Sequence, residues 1–103
     1  FDGEAAAIQY QRWVIKDARD SAEKFRTRAY TYEVDWEKGI FEISDKRGRT
    51  VVRLDESDEG FGLAQRMYEY YLDFGLTPTV SILAVVEGRL FNLENPIDDD
   101  EPL

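Results

Sequence analysis

The hydrophobic period changes once along this chain, near Tyr30, and that change limits what the polypeptide can build. Before it, residues 4 to 28 contain neither glycine nor proline, and Ile8, Ile15, Ala18, Ala22 and Phe25, followed by Ala29, fall at spacings of three, four or seven. That is the signature of one face of a helix, so a long amphipathic helix is predicted here. Tyr10, Trp13 and Val14 widen its apolar stripe, and the helix is expected to close over a sheet of its own domain. After Tyr30 the period is two: Tyr30, Tyr32, Val34 and Trp36 alternate with Thr31, Glu33 and Asp35. Glu37-Lys38-Gly39 turns the chain into Ile40 to Ile43, and Asp45-Lys46-Arg47-Gly48 turns it again into Thr50 to Leu54. Three strands joined by such short turns read as an antiparallel meander with one covered face.

A second helix is predicted over residues 60 to 74. An acidic approach complements its positive N-terminus, and Gly75 supplies a left-handed cap. Beyond Gly75, two signals compete. Thr77-Pro78 is a helix start, which allows a buried helix over 78 to 87. Val80, Ile82, Val85 and Val86 are β-branched in a run of strand length, and Glu87-Gly88 reads as a turn into Arg89 to Leu93. Length and branching favour the second reading, so a C-terminal β-hairpin is expected. The fold class is therefore α+β: long helix, three-stranded meander, second helix, hairpin. Residues 1 to 95 form one domain, and 96 to 103 are expected to be a disordered acidic tail, with two prolines and Asp98-Asp99-Asp100-Glu101.

Charge narrows function by exclusion. The 103 residues carry 22 acidic and 13 basic side chains, a net charge of -9, which argues against a general nucleic-acid coat. Absence of cysteine excludes a disulfide framework, a thiolate nucleophile and a cysteine-held metal; absence of histidine removes the commonest general base and zinc ligand. No nucleophile elbow or Gly-rich phosphate loop occurs. Asp55-x-Ser57-x-Glu59-Gly60 imitates the first half of a calcium loop, but Arg66 stands where the bidentate glutamate belongs. No catalytic residue, metal site or cofactor is assigned, and no enzyme activity is expected.

The acidity is also uneven. Residues 1 to 53 hold 11 basic and 10 acidic side chains, whereas residues 54 to 103 hold 2 and 12. Within that half, Tyr68 and Tyr71 fit an inward stripe and Tyr70 does not, so Tyr70 is expected to face a partner beside Glu69 and Asp73. The expected function is a small non-enzymatic protein-binding module, a regulator, adaptor or inhibitor. It would meet a basic protein surface through Asp55, Glu56, Asp58, Glu59, Glu69, Tyr70 and Asp73. One alternative is an inhibitor of phage or plasmid type that mimics nucleic acid, which needs those acids in one continuous ridge. The other is nucleic-acid binding by the sheet, through Lys46, Arg47, Arg49 and Arg53 with Tyr30, Tyr32 or Trp36 as stacking platforms. Direct nucleic-acid contact and a small-molecule substrate rank below the protein partner. No apolar run approaches the ~20 residues of a membrane span, and a cytoplasmic setting is expected. The chain opens on Phe1, so any upstream targeting segment is out of view.

Overall fold

The computed structural model describes residues 3 to 96. Its elements run α1 (Gly3–Arg26), β1 (Thr31–Asp35), β2 (Ile40–Ser44), β3 (Thr50–Leu54), α2 (Glu59–Asp73) and α3 (Pro78–Glu94). The α+β class, the meander and the first two helices lie where the sequence pattern puts them. The tail expectation lies, from residue 97 onward, outside the described residues.

Alternation decides which sheet face is covered. The strands pair in the order β1-β2-β3, with Tyr32 opposite Ile43, Val34 opposite Phe41, and Phe41 and Ile43 opposite Leu54 and Val52. These side chains share one face, and Phe41 and Ile43 at its centre are fully buried. Each hairpin turn is held by an aspartate. Asp35 Oδ1 accepts the amides of Glu37 and Lys38, both at 3.1 Å, and Asp45 Oδ1 accepts those of Arg47 and Arg49 at 2.9 and 3.0 Å. Gly39 at φ 70° completes the first turn; a Cβ there would lie 2.4 Å from the Glu56 side chain.

The helices pack on that face. Ala22 and Phe25 of α1, Phe61 and Ala64 of α2, and Leu83, Val86 and Leu90 of α3 meet Phe41 and Ile43 in one core. A smaller cluster of Ala18, Leu76 and Ala84, backed by Ile15, Tyr71 and Val80, joins the helices at the other end. The link from α2 to α3 reverses the chain at Gly75, φ 91°, where Leu76 N–H bonds the Tyr71 carbonyl and Gly75 N–H that of Leu72. That pair of bonds satisfies carbonyls the helix end leaves open.

The expected C-terminal β-hairpin is replaced by a 17-residue helix, α3. Thr77 caps it, its hydroxyl accepting the Val80 amide at 3.2 Å, and Pro78 sits in the first turn, where a missing N–H costs nothing. Gly88, read as a turn residue, lies inside the helix. Consecutive residues Leu83 to Glu87 are all buried, so α3 is covered from more than one side and shows no helical period. Packing on several sides outweighs the β-branched propensity.

One buried ion pair ties the elements together. The Glu87 carboxylate, 2% exposed, accepts from Arg28 Nη1 at 3.1 Å and lies 3.8 Å from Lys24 Nζ. Arg28 also pairs with Glu94 and holds its guanidinium 4.8 Å from the centre of the Tyr30 ring. The end of α1, the last turns of α3 and the entry to β1 are thereby fixed to one another.

Candidate functional site

The first three turns of α1 lie outside the core. Residues 3 to 13 are all exposed, and burial begins only at Val14. The helix overhangs the domain, and Tyr10 and Trp13, expected to widen the core stripe, are 54% and 61% exposed. The stripe that runs back through Ala22, Ala18 and Val14 reaches Gln11 and Ala7 at the next helical spacings. One polar and one small side chain there signal that the cover has ended.

Tyr70 meets this overhang. It lies off the core stripe as expected, yet it is half-buried rather than alone in solvent. Its ring stands edge-on to Phe74 at 4.8 Å, and its hydroxyl lies 2.8 Å from that of Tyr10. Tyr10 in turn neighbours Trp13 at 6.1 Å and Phe74 at 6.3 Å between ring centres. The four rings form an aromatic ledge between the α1 overhang and the last turn of α2. The hydrogen bond with Tyr10, aided by desolvation, pushes the Tyr70 phenol up to about 12. Burial, then the charge of Asp17, raises Tyr71 as well. Asp17 stands one turn beyond Trp13, as does Lys16, and on α2 Asp73 stands one turn beyond Tyr70, with Glu69 one turn before Asp73.

The other acids stand apart from it. Asp55, Glu56, Asp58 and Glu59 are exposed where β3 leads into α2. Two of them are used by the loop itself: Asp58 Oδ2 accepts the Asp55 amide at 2.8 Å, and Asp55 Oδ1 accepts the hydroxyl and the amide of Ser57. Ser57 holds the Asp55 carboxyl below the usual carboxylate range. Glu59 and Glu69 are ten residues apart on one helix, about 15 Å at its rise, and Arg66 stands between them. The acids thus fall into a loop group and a ledge group. Among the described residues no cluster of three or more acidic side chains is placed to hold a metal ion.

The sheet offers no aromatic open face. Trp36 packs against Phe61 and Tyr68 at 5.5 and 5.4 Å, and Tyr32 stands edge-on to Phe25 at 5.7 Å, both on the covered side. The opposite side carries Glu33, Glu42 and Arg53, with Arg53 Nε 3.6 Å from Glu42. Of the platforms considered, Tyr30 alone stays beside Lys46, Arg47 and Arg49.

Fold and surface together define a small α+β domain whose overhanging first helix joins the second in an aromatic ledge. Comparison with protein families, with curated proteins and with solved structures finds no match to this chain. Among the described residues no helix is long and apolar enough to cross a membrane.

Proposed function

We propose that this chain is a non-enzymatic protein-binding module that docks a partner with a basic surface, using the aromatic ledge as anchor and the surrounding carboxylates for steering. The observation that carries this reading is the exposure of Trp13 on a part of α1 that the domain leaves uncovered, joined through Tyr10 to Tyr70. Large rings beside a hydrogen-bonded hydroxyl give contact area at small entropic cost, the usual make-up of an interface anchor. On the α2 side the surroundings are negative, with Glu69 and Asp73, while on the α1 side Asp17 stands next to Lys16. Of the two cations in the second half of the chain, Arg89 is drawn inward onto the Gly60 carbonyl at 2.6 Å. A mimic of nucleic acid needs an unbroken ridge of carboxylates, and the interruption at Arg66 favours the aromatic anchor over it. A cytoplasmic setting belongs to the same proposal, since the fold rests on packing and ion pairs and the sequence has no cysteine to oxidise.

Affinity capture at low ionic strength, run in parallel with the wild type, Trp13→Ala and the pair Glu69→Lys, Asp73→Lys, tests this. The expected result is a basic partner retained by the wild type, weakened by Trp13→Ala and released by salt or by charge reversal. A captured set that is identical in all three, or that ignores salt, would overturn the reading.

A further inference from the structure

The β2–β3 turn concentrates positive charge on a chain whose net charge is -9, with Lys46, Arg47 and Arg49 inside four residues. Asp45 beside them is already committed. Its Oδ1 accepts the amides of Arg47 and Arg49, and its Oδ2 faces Arg49 Nε at 3.3 Å. Lys46 and Arg47 remain exposed and form no ion pair with any described residue. These residues, with Ala29 and Tyr30, line an open cavity of about 360 Å³ at the end of the sheet. Tyr30 is no loose wall: its ring is half-buried against the core and lies under the Arg28 guanidinium, which Glu87 and Glu94 anchor.

We propose that this cavity binds a phosphate ester carrying an aromatic base, that is, a nucleotide, with Lys46 and Arg47 on the phosphate and Tyr30 against the base. Lys46 and Arg47 are adjacent like charges that Asp45, paired with Arg49, does not neutralise, and a phosphate relieves their repulsion while matching the guanidinium fork of Arg47. The fixed ring decides the class of ligand. An acidic peptide would engage the cations alone, whereas a base also packs on the part of the Tyr30 ring that lines the cavity, and such stacking is worth about tenfold in affinity. Two sources share this chemistry: a free mononucleotide, and the phosphorylated end of a single strand.

Calorimetric titration of the full chain at low ionic strength, where screening is weakest, tests the proposal. The ligands are adenosine monophosphate, adenosine, inorganic phosphate, and a short oligothymidylate with and without a 5′-phosphate. The monophosphate should bind saturably and about tenfold tighter than phosphate or adenosine alone. The exposed-turn pair Lys46→Ala, Arg47→Ala should abolish that binding with the near-ultraviolet circular dichroism of the folded protein intact. Tyr30→Leu should reduce the monophosphate to the level of phosphate. Tighter binding of the 5′-phosphorylated strand than of the monophosphate assigns the site to strand ends; equal or weaker binding assigns it to the free nucleotide. Equal affinity for monophosphate and inorganic phosphate, binding that survives the turn pair, or absence of saturable binding would overturn the proposal.

Discussion

A phenol pressed against another phenol titrates unlike one in water, and the Tyr10–Tyr70 pair makes that visible. The bond between the hydroxyls favours the neutral form of Tyr70, whose folded value of about 12 lies above the ordinary 10.0. Because the folded value is raised, the stability this contact supplies is complete below about pH 10 and is lost as pH rises through about 12. Tyr10→Phe should return the Tyr70 midpoint toward 10.0, read from its ring-carbon NMR shift; a midpoint that stays put would assign the shift to another cause. Glu87 presents the opposite case, a charge kept inside. Arg28→Met leaves its carboxylate buried with Lys24 alone facing it at 3.8 Å, and should cost about 3 to 5 kcal/mol in urea unfolding. Adding Glu87→Leu removes the stranded charge and should recover most of that loss, so a double variant no more stable than Arg28→Met would contradict the assignment. Neither pair was legible in the sequence. Tyr10 and Tyr70 are 60 positions apart and Arg28 and Glu87 are 59, and periodicity reports which face a residue occupies, never which distant residue shares it.

Among the elements, α1 and α3 mark the limits of reading from pattern. The meander was legible to within a residue because strand alternation and Asp-to-Gly turns are local signals: β3 begins and ends at Thr50 and Leu54 as expected, β1 is one residue shorter at each end than Tyr30 to Trp36, and β2 runs one residue past Ile43 to Ser44. The hairpin expected after Gly75 was not, because a helix buried on several sides loses the period that would reveal it; the surviving local evidence was the Thr77-Pro78 cap. Thr77→Ala should therefore cost about 1 kcal/mol, and a loss that small in thermal unfolding would still confirm the cap, whereas no loss would place helix initiation elsewhere. In α1 the failure was one of extent. Its stripe is real from Val14 to Phe25, but a pattern does not say where the neighbouring elements stop, so it points Tyr10 and Trp13 inward although both are exposed. The two halves should respond differently to truncation: Phe25→Ala should lose about 3 to 5 kcal/mol, while Trp13→Ala should stay within about 0.5. A large loss from Trp13→Ala would show that the ledge supports the fold and would weaken the proposal that it is a docking surface.

At the scale of the whole molecule, charge acts over lengths the contacts do not reach. The principal extents are 50 × 39 × 29 Å, and the excess of acid lies in the second half of the chain, where 12 carboxylates face 2 cations. At about 10 mM salt the screening length is near 30 Å, comparable to the molecule itself, so most of these acids repel one another; at about 150 mM it is near 8 Å and the repulsion is largely lost. The attractive pairs behave differently. Glu87 and Arg28 are close and buried, and are screened little, whereas Arg53–Glu42 and Arg49–Asp45 involve exposed arginines and contribute little at any salt. Relief of repulsion should therefore win, and the melting temperature should rise as salt increases over this range, with the gain flattening beyond it. Glu69→Lys with Asp73→Lys lowers the negative charge and should shrink the salt effect while raising the melting temperature at low salt. A melting temperature that falls with added salt would mean that exposed ion pairs outweigh the net charge in holding this fold.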